Sequence, residues 1–97
     1  MTSKKTEFQE QIIQRIKDLR FERGISQLAL SNILDISDGQ VGNIESPRFQ
    51  HKYTLKQLYT FCTFIKYPFE NLFLTEEELK SKNAIELLIS KIIQYDE

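Results

Sequence analysis

The stretch Ser26–Glu45, SQLALSNILDISDGQVGNIE, predicts two short helices separated by a tight turn. Its first half carries apolar residues that a period of 3.6 residues brings to one face: Leu28, Ala29, Ile33 and Leu34. Ser26 stands where a side-chain oxygen can accept a hydrogen bond from the first free amides of this helix. We therefore expect a helix that begins just after Ser26 and packs through this face.

The second half of the stretch begins at Ser37, and Gln40 three residues later completes the pattern of a capping box. Val41 and Ile44 lie one turn apart and form its inner face. Asp35, between the two halves, is of the type that tolerates a left-handed turn. Two helices joined by three or four residues form a helix-turn-helix arrangement.

From residue 12 to residue 73, the chain resembles the phage-repressor (Cro-like, XRE-type) helix-turn-helix family. The matching residues are Ile16, Leu19, Arg20, Arg23-Gly24-Ile25-Ser26-Gln27, Leu28-Ala29, Leu34, Ile36-Ser37, Val41, Ile44-Glu45, Leu55, Leu58 and Leu72-Phe73. The resemblance implies an all-α fold, a five-helix lambda-repressor-like bundle over residues 6–74 with an additional C-terminal helix. It also implies that Arg20 is structural and pairs with Glu45.

The implied function is a transcriptional regulator that binds palindromic double-stranded DNA as a homodimer, with residues 38–45 as the reading helix in the major groove. The alternative is a protein-interaction module that keeps the fold but has lost most base reading. Members of the family usually carry glycine at the position of Asp35, and small polar or basic residues at those of Asp38 and Gly39. The departures at Asp38 and Gly39 favour the alternative.

Within the reading helix, the predicted base-reading residues are Asp38, Gly39, Gln40 and Asn43. The amides of Gln40 and Asn43 suit adenine, and Asp38 can accept a hydrogen bond from cytosine. Gln40 can instead be held by its capping box, which would leave Asn43 as the principal reader. Glycine costs about 1 kcal/mol in a helix interior relative to alanine. Gly39 and Gly42 therefore indicate either close approach to DNA or a helix that no longer reads bases.

Phosphate contacts are expected on both sides of the reading helix. Gln27 resembles the phosphate-contacting glutamine of the family, and Arg48, His51, Lys52 and Lys56 follow as a basic loop. The predicted contacts to the DNA backbone are Ser26, Gln27, Ser37, Arg48 and Lys52. Such contacts position a protein on DNA and do not specify a sequence.

Composition excludes several other classes of function. The 97 residues contain one cysteine, Cys62, and one histidine, His51, so neither a disulfide framework, a metal site nor a Cys/His dyad is predicted. We expect no enzyme, no cofactor and no small-molecule ligand. No apolar run approaches 18 residues and no signal-peptide pattern is present, so a soluble cytoplasmic, nucleoid-associated protein without membrane contact is expected.

The net charge of −1 hides an asymmetry along the chain. Residues 1–74 carry ten Lys/Arg against eight Asp/Glu, whereas residues 75–97 carry three against six. The front domain is therefore only mildly basic, and a strong nonspecific grip on phosphates is not expected.

The remaining helices are predicted from local signals. Capping boxes stand at Thr6 with Gln9, Thr54 with Gln57 and Thr75 with Glu78. They predict a first helix over residues 6–23, a fourth from residue 54 and a last helix over residues 75–95. Pro68 opens a short fifth helix, PFENLF.

Two apolar surfaces are candidates for a homodimer interface. One is the aromatic-rich edge of the fourth and fifth helices, and the other is a stripe on the C-terminal segment 75–97. The predicted interface residues are Phe64, Tyr67, Phe69, Ile85, Leu88, Ile89 and Ile92. The last helix can fold back onto its own domain or pack on a partner subunit, and the sequence slightly favours the partner.

Overall fold

A computed structural model describes residues 4–97, in which every regular element is a helix. Its six α-helices are α1 (Glu7–Glu22), α2 (Gln27–Leu34), α3 (Gln40–Glu45), α4 (Leu55–Ile65), α5 (Glu76–Leu79) and α6 (Ala84–Asp96). A single 3₁₀ turn, Phe69–Leu72, lies between α4 and α5. The predicted all-α class is confirmed. Within residues 4–97, no helix has the length and apolar character needed to cross a membrane.

The C-terminal segment differs from its prediction. Instead of one helix over residues 75–95, the chain forms α5 and α6 with a turn at residues 80–83 between them. In that turn, Ser81 Oγ donates a hydrogen bond to Asn83 Oδ1 and accepts one of 3.3 Å from the Asn83 backbone N–H. Short polar side chains of this kind compete with helical hydrogen bonds, which accounts for the break. Glu78 and Lys91 then form an ion pair of 3.1 Å between the two helices.

Local capping signals predicted the other helix starts well. The boxes of Thr6 with Gln9, Thr54 with Gln57 and Thr75 with Glu78 all form. The predicted fifth helix is shorter than expected, because only a 3₁₀ turn follows Pro68. Gly24, just after α1, has the positive φ of 66° that glycine adopts without strain.

Much of the apolar core comes from α1, α3 and α4. Its residues on these helices are Ile12, Ile13, Ile16, Leu19, Val41, Ile44, Leu58, Phe61, Cys62 and Ile65. Burial raises the pKa of the Cys62 thiol to about 11, as befits a small apolar core residue. The predicted inner face of α3, formed by Val41 and Ile44, is thus confirmed.

The predicted face of α2 requires a correction, because Leu28 is 52% exposed while Leu30 and Ser31 are fully buried. Leu30 turns towards the core, where it is surrounded by buried apolar side chains. Ala29, Ile33 and Leu34 are half-buried.

The helix α6 folds back onto its own domain. Tyr95 is fully buried, and its hydroxyl donates a hydrogen bond of 2.7 Å to the backbone oxygen of Tyr53. Gln9 Nε2 in α1 donates one of 2.7 Å to the backbone oxygen of Tyr95. Residues 84–97 therefore pack in the same domain as α1. The opposite face of α6 can still contact a partner.

The aromatic edge is largely an internal cluster. The Phe69 ring lies 5.7 Å from that of Tyr59 and 5.4 Å from that of Phe73, measured between centroids. Tyr67 is half-buried against the core, whereas Phe64 is exposed. Of the three aromatic residues predicted for a dimer interface, Tyr67 and Phe69 therefore pack within the protein, which accounts for much of the aromatic density.

Candidate nucleic-acid interface

The turn between α2 and α3 is held by short-range hydrogen bonds. Ser26 Oγ accepts one of 3.0 Å from the Ala29 backbone N–H and caps α2, as predicted. Asp35 takes the left-handed conformation, with φ 57° and ψ 50°. Ser31 Oγ donates to the backbone oxygens of Gln27 at 2.9 Å and Asp38 at 3.3 Å. The buried Ser31 therefore ties α2 to the residues that lead into α3.

The start of α3 differs from the prediction. The helix begins at Gln40 with Gly39 as its N-cap residue, and no side chain caps it. The predicted capping box of Ser37 and Gln40 does not form, because residues 37–39 make a turn in which the Gln40 backbone N–H donates to the Ser37 backbone oxygen at 3.0 Å. Gly39 thus lies outside the helix interior, so the energetic cost expected for a glycine there does not apply to it.

The predicted base-reading residues lie in the turn before α3 and on α3 itself. Ser37, Asp38 and Gly39 are exposed in the turn, and Gln40 and Asn43 are half-buried on α3. The Gln40 side chain is not held in the predicted capping box. The side-chain amides of Gln40 and Asn43 both lie on α3, a helix of six residues. This helix is short, so its orientation depends on what holds its C-terminal end.

The C-terminal end of α3 is held by a buried ion pair with α1. Arg20 Nε and Nη2 donate to the two carboxylate oxygens of Glu45, each at 2.9 Å, and the side chains are 5% and 4% exposed. Arg20 Nη1 donates a further hydrogen bond of 2.9 Å to the Ile25 backbone oxygen. The structural role implied for Arg20 is confirmed, and its charge is neutralised inside the protein.

Gln27 joins this ion pair. Its Nε2 donates a hydrogen bond of 2.9 Å to Glu45 Oε1, so its side chain lies across α3. A Cβ built at Gly42 would lie 3.4 Å from Gln27 Oε1, which is ordinary contact. Gly42 therefore borders the Gln27 amide, a neighbour that the sequence does not reveal.

A second cation holds the same end of α3 from the N-terminal segment. Lys5 Nζ lies within hydrogen-bond distance of four backbone oxygens and shares its three hydrogens among them: Ile44 at 2.9 Å, Ser46 at 3.0 Å, Phe49 at 2.8 Å and His51 at 2.9 Å. We call this arrangement the Lys5 clamp. Burial lowers the pKa of the Lys5 ammonium below its ordinary value, and the nearby Glu10 carboxylate opposes that shift. The clamp fixes the path of the loop over residues 46–51.

Sequence reasoning missed the Lys5 clamp. The residue precedes the first predicted helix in a polar segment, TSKKTE, where a lysine is ordinarily solvated. Its partners lie 39 to 46 residues away along the chain. No local pattern links such distant residues, so no sequence signal could have identified them.

Lys52, predicted to contact phosphates, has a different partner in the structure. Its Nζ donates to the backbone oxygens of Tyr95 at 3.0 Å and Asp96 at 3.1 Å, and it lies 5.3 Å from the centroid of the Tyr95 ring. The carbonyl end of a helix carries partial negative charge and attracts a cation. Lys52 thus closes the C-terminal end of α6.

The basic loop retains exposed cationic side chains. Arg48 is exposed, and its backbone N–H donates a hydrogen bond of 3.2 Å to Ser46 Oγ. Lys56 is exposed in the first turn of α4. The Phe49 and His51 rings meet edge to face at 5.9 Å beside Arg48. Some cationic side chains near α3 are therefore bound within the protein, and others, such as those of Arg48 and Lys56, are exposed to solvent.

Within residues 4–97, no cluster of three His, Cys, Asp or Glu side chains could hold a metal ion. Comparison of the chain with known protein families, with curated proteins and with solved structures found no match.

Proposed function

We propose that this protein is a DNA-binding transcriptional regulator of the helix-turn-helix type that acts in the cytoplasm as a homodimer. The observation that carries the proposal is the α2–α3 pair, with Asp38 exposed in the connecting turn and Gln40 and Asn43 on α3. The Arg20–Glu45 pair and the Lys5 clamp both hold this pair at the end of α3. Preorganised polar groups of this kind suit the edges of bases in a major groove.

In this proposal, Asn43 and Gln40 read adenine, and Asp38 accepts a hydrogen bond from cytosine N4. Gly39, exposed at the start of α3, allows the backbone to approach the groove closely. Gln27 uses one amide hydrogen on Glu45, and an amide nitrogen carries a second hydrogen that can donate to a phosphate.

Phosphate contacts come from both ends of this surface. Ser26 and Ser37 contribute hydroxyl groups, and Arg48 and Lys56 contribute the cations. Lys52 is left out of this set, because its ammonium group closes α6. The cationic contact is therefore small for each subunit, and two subunits are needed for tight binding.

A second function is favoured by the same charge distribution. Arg20, Lys5 and Lys52 direct their charges to partners within the protein, and the net charge of the chain is −1. These features suit a module that keeps the fold and binds another protein through α2 and α3.

A selection experiment distinguishes the two functions. The immobilised full-length protein is incubated with random-sequence duplex DNA, and the retained duplexes are sequenced. We expect enrichment of a palindrome whose half-sites lie about one helical turn, roughly 34 Å, apart. The matched control is Asn43→Ala, which should relax the sequence at one position of each half-site. Recovery of unenriched DNA by both proteins would contradict the proposal and favour the interaction module.

A further inference from the structure

The helix α6 has one face inside the protein and one outside it. Tyr95 is buried, and Leu88 and Ile92 pack against the core. On the other side, Ile85 is 75% exposed, Ile89 51% and Ile93 55%. The predicted interface stripe is thereby divided, with Ile85 and Ile89 outside and Leu88 and Ile92 turned inwards.

The three exposed isoleucines form one row, which we call the α6 stripe. They are spaced four residues apart, so they lie on one side of the helix over about 12 Å at 1.5 Å per residue. Scattered single apolar residues on a surface are normal, whereas contiguous exposed apolar patches are typical of interaction sites, and the stripe is a candidate for one.

Opposite charges stand at the two ends of the α6 stripe. Lys82 lies just before the helix, next to the N-cap residue Asn83, and Asp96 is the last residue of the helix. Both are exposed. Lys82 precedes Ile89 by seven residues along the chain and Asp96 follows it by seven, so one charge stands near each end of the stripe.

We propose that the α6 stripe is covered by the same stripe of a second copy of this chain, with the two helices antiparallel and the two-fold axis at Ile89. This orientation places Ile85 opposite the partner's Ile93 and Lys82 opposite the partner's Asp96, and each contact occurs twice. A parallel pair would bring lysine against lysine and aspartate against aspartate. Charge complementarity therefore selects a second copy in the antiparallel orientation.

This pairing deepens the proposed function by naming the surface through which two subunits associate. It rests on that function only for its biological purpose, because the stripe and its charges lie outside α2 and α3. The experiment below contains no DNA, so its failure and a failure to bind DNA are separate results.

Crosslinking of the full-length chain tests the orientation. Three single variants are prepared and oxidised, alone and mixed with one another: Ile85→Cys, Ile89→Cys and Ile93→Cys. The wild-type chain is the control, because its one cysteine, Cys62, is buried and should not crosslink. We expect Ile89→Cys to form a disulfide dimer, and Ile85→Cys to crosslink with Ile93→Cys but not with itself. Self-crosslinking of all three variants would show a parallel pair and overturn the proposal. Absence of any crosslink would also overturn it.

Sedimentation of the full-length protein tests whether this is the interface in solution. Ile89→Lys should raise the dissociation constant of the dimer by about 30-fold or more, since it places a charge at the centre of the contact. The matched control is Phe64→Lys, because Phe64 is also exposed, at 60%, on the aromatic edge. Circular dichroism checks that both variants stay folded. A monomeric wild-type protein at micromolar concentrations, or dissociation by Phe64→Lys alone, would overturn the proposal.

A charge reversal provides an independent check. Lys82→Glu should weaken the dimer, and the double variant Lys82→Glu with Asp96→Lys should restore it. Failure of the second change to restore association, when the first has weakened it, would contradict the antiparallel orientation.

Discussion

The helices α3 and α6 both have a lysine bound to the carbonyl oxygens of their C-terminal end, but they present different side chains to solvent. Neither has a basic residue in its last turn. A lysine from elsewhere supplies the missing cation, Lys5 for the carbonyls of α3 and Lys52 for those of α6. The outer face of α3 is polar, whereas that of α6 is a row of isoleucines. This difference is the basis of our proposals that α3 recognises a polar ligand and α6 an apolar partner.

Much of the positive charge of residues 4–74 is bound to partners within the protein. Lys5, Arg20 and Lys52 neutralise backbone carbonyls or a carboxylate within the protein. Arg23 donates similarly to the Ile65 backbone oxygen at 2.7 Å, at the end of α4. Cations that close helix ends hold the fold together, and only the remainder can meet phosphates.

The largest expected effect concerns the buried ion pair that holds α3. Glu45→Ala should lower the free energy of unfolding by about 3–5 kcal/mol, because it leaves the Arg20 guanidinium buried without its partner. Urea denaturation measures the loss. The matched control is Glu78→Ala, which removes an ion pair with Lys91 that is partly open to solvent and should cost far less. Equal losses from the two changes would contradict the role given to Glu45.

The next effect concerns the Lys5 clamp. Lys5→Met keeps the aliphatic chain but removes the ammonium, and the carbonyls around it lose their donor. We expect a loss of about 1–3 kcal/mol in unfolding free energy. Amide hydrogen exchange should also rise in residues 44–51.

Lys4→Met is the control for this change, because Lys4 is exposed and precedes the clamp by one residue. If both variants behaved alike, the clamp would not stabilise the loop.

A third prediction concerns the polar face of α3. Asn43→Ala should cost about 1–3 kcal/mol of discrimination at one base position of each half-site. Arg48→Ala should instead weaken binding to all duplexes to a similar degree. Titration of both variants against a set of single-base operator variants measures these effects. Identical patterns for the two would show that the assigned roles are wrong.

The smallest effect concerns the closure of α6. Lys52→Ala should lower the unfolding free energy by about 0.3–1 kcal/mol, the usual contribution of a cation at a helix C-terminus. Its DNA affinity should change less than that of Arg48→Ala. If Lys52→Ala lowered the DNA affinity as much as Arg48→Ala and left the stability unchanged, Lys52 would contact phosphate and would not stabilise α6.

Much of this fold could be predicted from sequence, because helix starts and inner faces depend on residues three or four apart. Thr6 with Gln9 and Val41 with Ile44 are of this kind. The failures have two causes. At Ser37 and at residues 80–83, one local hydrogen-bonding pattern replaced another. For Lys5 and Lys52, the partners lie about 40 residues away, where no periodicity reaches.

The sequence named the polar residues of the candidate surface but not which of the nearby cations remain free to bind phosphates. The sequence identified Asp38, Gln40 and Asn43. Asp38 is exposed in the turn before α3, Gln40 and Asn43 are half-buried on that helix, and their role in base reading stays a prediction. It also counted Lys52 among the phosphate contacts, although that ammonium is bound to the end of α6. Counting charges along a sequence cannot reveal which of them are neutralised by the fold.

A salt-dependent titration with the duplex enriched by selection tests the central claim that α2 and α3 bind DNA. Each cationic phosphate contact contributes about −0.9 to the slope of log affinity against log salt concentration. With Arg48 and Lys56 as the two phosphate-contacting cations of each subunit, we expect a slope of roughly −3 to −4 for the dimer, reduced in magnitude by about 2 in Arg48→Ala. A slope near zero, or one unchanged by Arg48→Ala, would contradict it.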